Sequence, residues 1–416
     1  MVIHMFQSLH PNLKIRLALN FFQKLTQTAI FPFMTIYFVR QFGATETGPL
    51  IVLTMIASFI ASLYGGHLSD RYGRKRVLFI GEILRFACYI GMAIAGSHVI
   101  DSAILLFIFF FFSNLLGSAI TPANEAILID DSRPDQRKYL YTLSYWLMNG
   151  SIVIGSLIGG FFFEQHLFYL LVSAAILSFG CVFLISNKLE DNYKPFPRKE
   201  QKTAGVWTGY QTVMRNQLFL KYLVAGILTL SLELQLTHYL AIHFAETLHA
   251  IPFFHFSLDG TKILGLLRAE NTILVLLLGL VLMRWTKSLS ERALLYTGVA
   301  LFSLGFAILP VSHDLSMLVL ATACFTFGEL LYVPIHQAML ARLIEDHLRS
   351  QYLAANGLRY RGALLIGAIS VSSYDVVSPG WMTVSYIGFG TFAIFFYRSI
   401  LKELDKCQPS EMNQAS

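Results

Sequence analysis

Two carboxylates stand where a carboxylate is expensive. Glu233 and Glu329 each fall inside a long apolar segment, and an ionised group at the centre of a bilayer costs about 2.5 to 3.5 kcal/mol even on lenient insertion scales. A carboxyl in such a place can exchange a proton with whichever side is open, or neutralise a cationic cargo, and the two roles can compete. A permanently protonated carboxyl bonded to a backbone carbonyl is the purely structural alternative. His336 follows Glu329 by seven residues and so shares its helix face; its imidazole can relay a proton, or simply be a hydrogen-bonded core histidine. Lys24, with Gln23 and Gln27 nearby, can balance a cavity acid or meet an anionic group. Arg359 and Arg361 lie about 200° apart around a helix, so one can line a cavity while the other reaches an interface. Glu125 belongs to the same group of candidates, although structure explains it equally well. Glu82 and Arg85 stand at i, i+3 and read as a structural pair. His238 and His243, five residues apart, face different ways, so no shared metal site is expected.

A second constellation lies in the stretch Gly66-His-Leu-Ser-Asp70-Arg71-Tyr-Gly73-Arg74-Lys75-Arg76. It joins two apolar segments. Gly66, lacking a side chain, is expected to let another backbone approach, and Gly73 to supply the positive φ of a tight turn. Arg74 can pair with a carboxylate at the foot of the fourth apolar segment, where Asp130 is preferred over Asp131. A generic basic anchor would explain Arg74 to Arg76 but not the glycines and Asp70 at those spacings.

These residues need a bilayer around them. Of the 416 residues, 55% are hydrophobic and 13% charged, against roughly 25% charge in a soluble domain. A span needs about 20 apolar residues. Twelve spans are expected, near 15–39, 46–68, 77–97, 103–127, 139–163, 166–186, 217–246, 266–285, 292–311, 315–340, 351–374 and 379–399. Lys and Arg crowd the N-terminus, the alternate loops and the tail, leaving Arg40 and Lys262 on the other side. Both termini are therefore expected to be cytoplasmic. The net charge of +6 follows this topology, so nucleic-acid binding is not expected. Cys88, Cys181 and Cys324 lie in apolar spans and Cys407 in the tail, without disulfide or metal spacing. The first apolar segment carries no cleavage-site pattern and is expected to remain as the first span.

The domain organisation expected is a six-helix bundle over 1–186, a cytoplasmic linker over 187–215 rich in proline and charge, a second six-helix bundle over 216–400, and a tail over 401–416. Residues 247–262, with His249, Pro252, Phe253 to Phe256 and Asp259, read as an aromatic interfacial loop. Pro122-Ala-Asn-Glu-Ala126-Ile-Leu128 returns as Pro334-Ile-His-Gln-Ala338-Met-Leu340, and Arg137 returns as Arg349 at the same offset. Such an offset of half a chain marks a duplicated unit. The copy of the charged turn, around Arg284 to Arg292, keeps its basic character but not the glycine and aspartate pattern.

The charged turn resembles the loop signature of the major facilitator superfamily of secondary transporters. The resemblance covers essentially the whole chain and implies an all-α membrane protein of twelve helices in two bundles, rocking between inward-open and outward-open states. It further implies that Gly66, Asp70, Arg71, Gly73, Arg74, Arg76 and Asp130 form a conformational latch, with Asp70 set against a helix start of the other half. Ile129-Asp130-x-Ser132, Arg137-Lys138, Tyr145-Trp146 and Gly328-Glu329-x-x-Tyr332-x-Pro334 are similar to the LmrP-type multidrug/proton antiporters. Asp70, Asp130 and Glu329 carry over; Ser144 and Thr237 stand where that group has aspartates. Gly155-x-x-x-Gly159-Gly160 resembles its fifth-span motif, with Ser156 in place of a proline. The implied activity is proton-coupled efflux of amphipathic small molecules, driven by the proton gradient without a cofactor, from a monomer in the cell membrane. A facilitator of a narrower metabolite, peptide-like or lipid-linked substrate is the alternative. A membrane enzyme is disfavoured, because the chain has no His-box, nucleophile elbow or phosphate loop.

Overall fold

The computed structural model describes residues 9–190, 212–253, 256–285, 289–345 and 348–412. Most of the expected linker, Phe254 with His255, and the centre of the second charged turn lie outside the described residues. The described chain is helical almost throughout. In order it forms α1 (Pro11–Phe42), α2 (Ala44–Tyr72), α3 (Arg74–Ala95), α4 (Ala103–Asp130), α5 (Pro134–Lys188), α6 (Gln217–Leu234), α7 (Tyr239–Thr247), α8 (Gly260–Trp285), α9 (Glu291–Ile308), α10 (Leu315–Leu343), α11 (Arg349–Asn356), α12 (Leu358–Ser372) and α13 (Pro379–Met412). Polar side chains start several of them. Ser102, Asn216, Ser290 and Asp314 each accept from a backbone N–H in the first turn of α4, α6, α9 and α10, satisfying donors that the helix itself cannot.

On α2 burial is inverted relative to a helix of a soluble protein. On α2 the exposed side is Leu53, Ile56, Ile60, Leu63 and Tyr64, while the buried side is Thr47, Gly48, Thr54, Ala61, Gly65 and Ser69. Apolar residues outside and small or hydroxyl residues inside suit a lipid solvent, in which helices associate by close approach. Eight segments among the described residues are long and apolar enough to cross a membrane. α1 is not one of them, since Asn20, Gln23, Lys24, Thr26, Gln27 and Thr28 make its middle too polar.

Several boundaries differ from the sequence expectation. The fifth and sixth spans are one helix, α5, kinked at His166 (φ −134°, ψ 31°); no glycine or proline separates them, and a single non-helical residue makes the turn. The seventh span is broken into α6 and α7 by a 3-10 turn over Gln235–Thr237. There Thr237 Oγ1 donates to Leu234 O (2.8 Å) and His238 Nδ1 meets the same carbonyl at 2.8 Å, so side chains compete for a helix acceptor. The eleventh span is interrupted at Gly357, between α11 and α12. The aromatic loop expected over 247–262 contains two short strands: β1 (Ile251–Phe253) and β2 (Phe256–Leu258) pair antiparallel with Ile251 opposite Leu258.

The chain divides into two compact units, residues 1–198 with 249–269, and residues 199–248 with 270–416. In the first, α1 packs on α5 and α4 packs on both α2 and α3. The α1–α5 crossing is tight because Gly155 and Gly159 face it: a Cβ on Gly155 would lie 2.1 Å from Thr28 Oγ1, and one on Gly159 2.4 Å from the Ala29 carbonyl oxygen. In the second, α6 packs on α12 and α13, and α9 on α10 and α13.

Candidate functional site

In the second unit, three helices bring polar groups to Glu329. It lies within α10, half-buried, and its Oε2 accepts from Asn271 Nδ2 of α8 at 3.1 Å. Asn271 Nδ2 also donates to Thr326 Oγ1 (3.0 Å), one turn before Glu329 on α10, and Thr326 donates on to Thr322 O (2.7 Å). Thr322 Oγ1 is buried and has no partner among the described residues. Glu233 comes from the last turn of α6. Its side chain is exposed, and its charge is near enough to act on Glu329, Tyr332 and Tyr360. A carboxyl, the amide that donates to it and a threonine hydroxyl held by the same amide thus meet at one place, within electrostatic range of a second carboxyl. Such a set can hold a proton or a cation, and each charge that enters displaces the other.

The same unit buries a histidine. His336 is 1% exposed. Its ring stacks on Tyr222 at 4.3 Å and 7°, and Tyr397 OH lies 2.8 Å from Nδ1. Nε2 is buried without a hydrogen-bond partner among the described residues. Arg359 of α12 reaches the same pocket past Gly226, where a Cβ would stand 2.5 Å from Arg359 Cδ and 3.0 Å from His336 Cε1. Only glycine on α6 leaves room for both. Arg361 is half-buried.

The charged turn belongs to the first unit. Gly73, at φ +93°, ends α2 and starts α3 in a conformation that glycine adopts without strain. Arg74 then reaches back and across: Nη1 donates to Ser69 Oγ (2.9 Å) and to Asp70, and Nε donates to Asp130 Oδ2 (3.2 Å). One guanidinium thereby ties the end of α2, the start of α3 and the end of α4. Arg71 is exposed and lies over the Tyr72 ring, and Arg76 is exposed. The backbone approach expected at Gly66 is one residue earlier. A Cβ on Gly66 would meet only the Pro122 side chain at 3.7 Å, whereas one on Gly65 would lie 1.9 Å from the Ala119 carbonyl oxygen. Gly65 is the residue on the α4-facing side of α2, which a motif read as a string cannot resolve.

Lys24 and Glu125 belong to the first unit. Lys24 is half-buried with Nζ 3.4 Å from Gln27 Oε1. Glu125 is exposed and acts on Arg16. Around them runs a polar stripe on α1 that sequence reading touched only at Gln23 and Gln27. Arg16 Nε donates to Asn124 O (2.7 Å), Asn124 Nδ2 donates to Asn20, and Gln23 Nε2 donates to Glu82 Oε2 (2.9 Å). Glu82 also accepts from Arg85 (3.0 Å) and from Ser178 of α5 (2.8 Å), while Arg85 donates to Tyr89 OH (3.1 Å). Asn12, Arg16, Asn20, Gln23 and Gln27 recur at three and four residues, the period of one helix face. That spacing was the available signal, as were Thr229, Asn271 and Thr326 within apolar helices. Ser144 Oγ is buried without a hydrogen-bond partner among the described residues, and Ser156 Oγ accepts from Arg268 Nε at 3.4 Å.

Outside the helices, Asp259 caps α8. Burial works against its anion, but hydrogen bonds from Lys262 and Thr261 outweigh it and hold the carboxyl below the usual carboxylate range.

Known proteins agree with this architecture. The family model described as Major Facilitator Superfamily matches residues 17–267. A Na(+), Li(+), K(+)/H(+) antiporter of Planococcus maritimus is 30% identical over 398 residues, covering 92% of this chain and 93% of the relative. The multidrug resistance protein MdtH of Edwardsiella ictaluri is 25% identical over 388 residues, 90% of each chain. Among solved structures, a POT family transporter in complex with 5-aminolevulinic acid superposes with a TM-score of 0.72 over 96% of this chain and 99% of its own, at 16% identity, a likeness of fold alone.

Proposed function

The chain belongs to the major facilitator superfamily, and from that premise we propose that it is a proton-coupled antiporter that exports cations. The family's members are membrane transporters rather than enzymes. The single observation that carries the proposal is the Glu329 site: a carboxyl inside an apolar helix, bonded to Asn271 beside Thr326, with Glu233 within electrostatic range. Protons and cations compete for such a pair, so binding one releases the other. Exposing the site alternately to the two membrane faces then couples their movements. One charge crossing about 100 mV yields about 2.3 kcal/mol, enough to drive a gradient of several tens-fold without ATP.

Alkali cations are the leading cargo. Hard cations take oxygen ligands, the site holds the Glu329 carboxyl and the Thr326 hydroxyl, and a full-length relative carries the name of a Na(+), Li(+), K(+)/H(+) antiporter. Amphipathic organic cations are the second reading, favoured by the likeness to MdtH along most of the chain. In this proposal the protein is a monomer of two six-helix halves in the cell membrane, with both termini cytoplasmic, no cofactor beyond the proton gradient, and the Asp70–Arg74–Asp130 turn as its latch. Inverted vesicles with an imposed pH gradient test it. Na+, Li+ or K+ should dissipate the gradient, tetraphenylphosphonium should do so under the second reading, and Glu329→Gln should abolish either response. Dissipation by none of these cations would refute the proposal.

A further inference from the structure

Resting on the proton-exchange reading above, we infer that Thr326 is a positioning residue: it holds the Asn271 amide with its NH2 end toward Glu329 and so sets how firmly that carboxyl keeps a proton. Donor and acceptor counts fix the orientation. Thr326 is 0% exposed, and its Oγ1 lies 2.7 Å from the carbonyl oxygen of Thr322, which can only accept. The one hydroxyl proton of Thr326 is therefore committed to its own helix, and its oxygen offers α8 a lone pair. The atom of Asn271 that stands 3.0 Å from that oxygen must donate, so it is Nδ2. The same nitrogen lies 3.1 Å from Glu329 Oε2. Its two protons are divided between the hydroxyl and the carboxyl, and the amide oxygen bonds neither. Thr322, Thr326 and Glu329 stand at i, i+4 and i+7 on α10, one face of a helix, so Asn271 bridges adjacent turns of that face from α8.

The orientation matters for exchange. The two ends of an amide have nearly the same shape but opposite hydrogen-bonding sense. An amide oxygen facing Glu329 would accept from the protonated carboxyl and favour keeping the proton. An NH2 group facing it donates to the carboxylate and favours release. In the release step the Glu329 O–H bond breaks, the proton passes to water on the open side of the membrane, and the cargo cation neutralises the carboxylate left behind. Thr326 thus acts on Glu329 only through Asn271. A threonine in an apolar helix can bond the carbonyl one turn back simply to satisfy its own hydroxyl. A residue with that role alone would affect stability and leave the proton equilibrium of Glu329 unmoved.

Infrared titration of the purified protein in liposomes, without added cargo, separates the two roles. The carboxyl C=O band that disappears in Glu329→Gln reports protonated Glu329, and its loss with rising pH gives a midpoint. Thr326→Val keeps the shape but removes the acceptor, freeing the amide to turn; the midpoint should rise by about one pH unit, a gain of about tenfold in proton affinity. Thr326→Ala, which leaves space instead of filling it, should move the midpoint the same way, and Thr326→Ser should restore it. Added to Asn271→Leu, Thr326→Val should cause no further shift, the signature of a residue acting through its partner. The thermal unfolding midpoint of each variant controls for folding. Among the described residues, Glu233 at the end of α6 and Tyr332 on α10 are the titratable groups within electrostatic range of Glu329, and none of these variants alters them. A wild-type midpoint in both Thr326→Val and Thr326→Ala, or a full further shift on top of Asn271→Leu, would overturn the positioning role and leave the antiport reading standing. A carboxyl band unchanged in Glu329→Gln would overturn both.

Discussion

Replacing Arg85 by methionine separates two accounts of the buried pair on α3. Glu82 and Arg85 are 1% and 7% exposed, and their 3.0 Å contact is worth about 5 to 6 kcal/mol at an effective dielectric near 20. Burying the two ions costs several kcal/mol each, so the intact pair contributes little net stability. Removing one member is different. Arg85→Met leaves Glu82 with Gln23 and Ser178 as its donors among the described residues, which should cost about 3 to 5 kcal/mol. The double variant Glu82→Met with Arg85→Met should recover all but about 1 kcal/mol of that loss, because an apolar pair of similar volume owes no desolvation. The assay is thermal unfolding of detergent-purified protein followed by size-exclusion chromatography. At about 2 to 4 °C per kcal/mol for units of this size, Arg85→Met should lower the midpoint by about 10 °C, and the double variant by only a few degrees. A double variant less stable than Arg85→Met would refute the reasoning, since the pair itself would then be a net source of stability.

Other outcomes follow from particular contacts. Gly65→Ala should destabilise the first unit by about 3 kcal/mol, because the new Cβ would meet the Ala119 backbone and a helix must shift; a thermal midpoint equal to wild type would show that α2 and α4 separate freely. Asn271→Leu should weaken proton-dependent cargo binding by about tenfold by removing the donor on Glu329, measured as a change in cation affinity in proteoliposomes at fixed pH. Asp259 should stabilise the α8 start above the ordinary aspartate range near 3.9 and lose that contribution as pH falls through its lower folded value. Hydrogen exchange at Lys262 should therefore rise only in strong acid, and in Asp259→Asn the protection should already be reduced at neutral pH. Arg74→Ala should speed interconversion of the two access states, read as faster cysteine labelling of the Asp130 end of α4 in inverted vesicles, and an unchanged rate would deny the turn its latch role.

The helical, membrane-embedded class was plain in composition because no soluble domain tolerates so little charge. The positive φ at Gly73 was legible for the same reason that motifs exist, since one residue type fits the turn. Other features depend on where helices cross, which a linear pattern does not carry. Nothing in the string distinguishes Gly65 from Gly66, yet only Gly65 faces α4. The kink at His166 and the break at His238 lack proline or glycine and arise from local competition for carbonyls or from a single turned residue. Glu329 was visible as a charge out of place in an apolar run. Its partners were not, because Asn271 and Thr326 are individually unremarkable in a membrane helix and gain meaning only when α8 and α10 meet. Arg16 was hidden by its nearness to the N-terminus, where a cation reads as an anchor, whereas the fold buries it against the Asn124 carbonyl.

The central claim is that a cation and a proton contend for Glu329. It is tested most directly by adding Na+, and separately tetraphenylphosphonium, to purified protein in weakly buffered solution and following the pH. The account predicts proton release from the wild type with at least one of these cations and none from Glu329→Gln. Release from Glu329→Gln equal to wild type, or no release from the wild type with either cation, would contradict it.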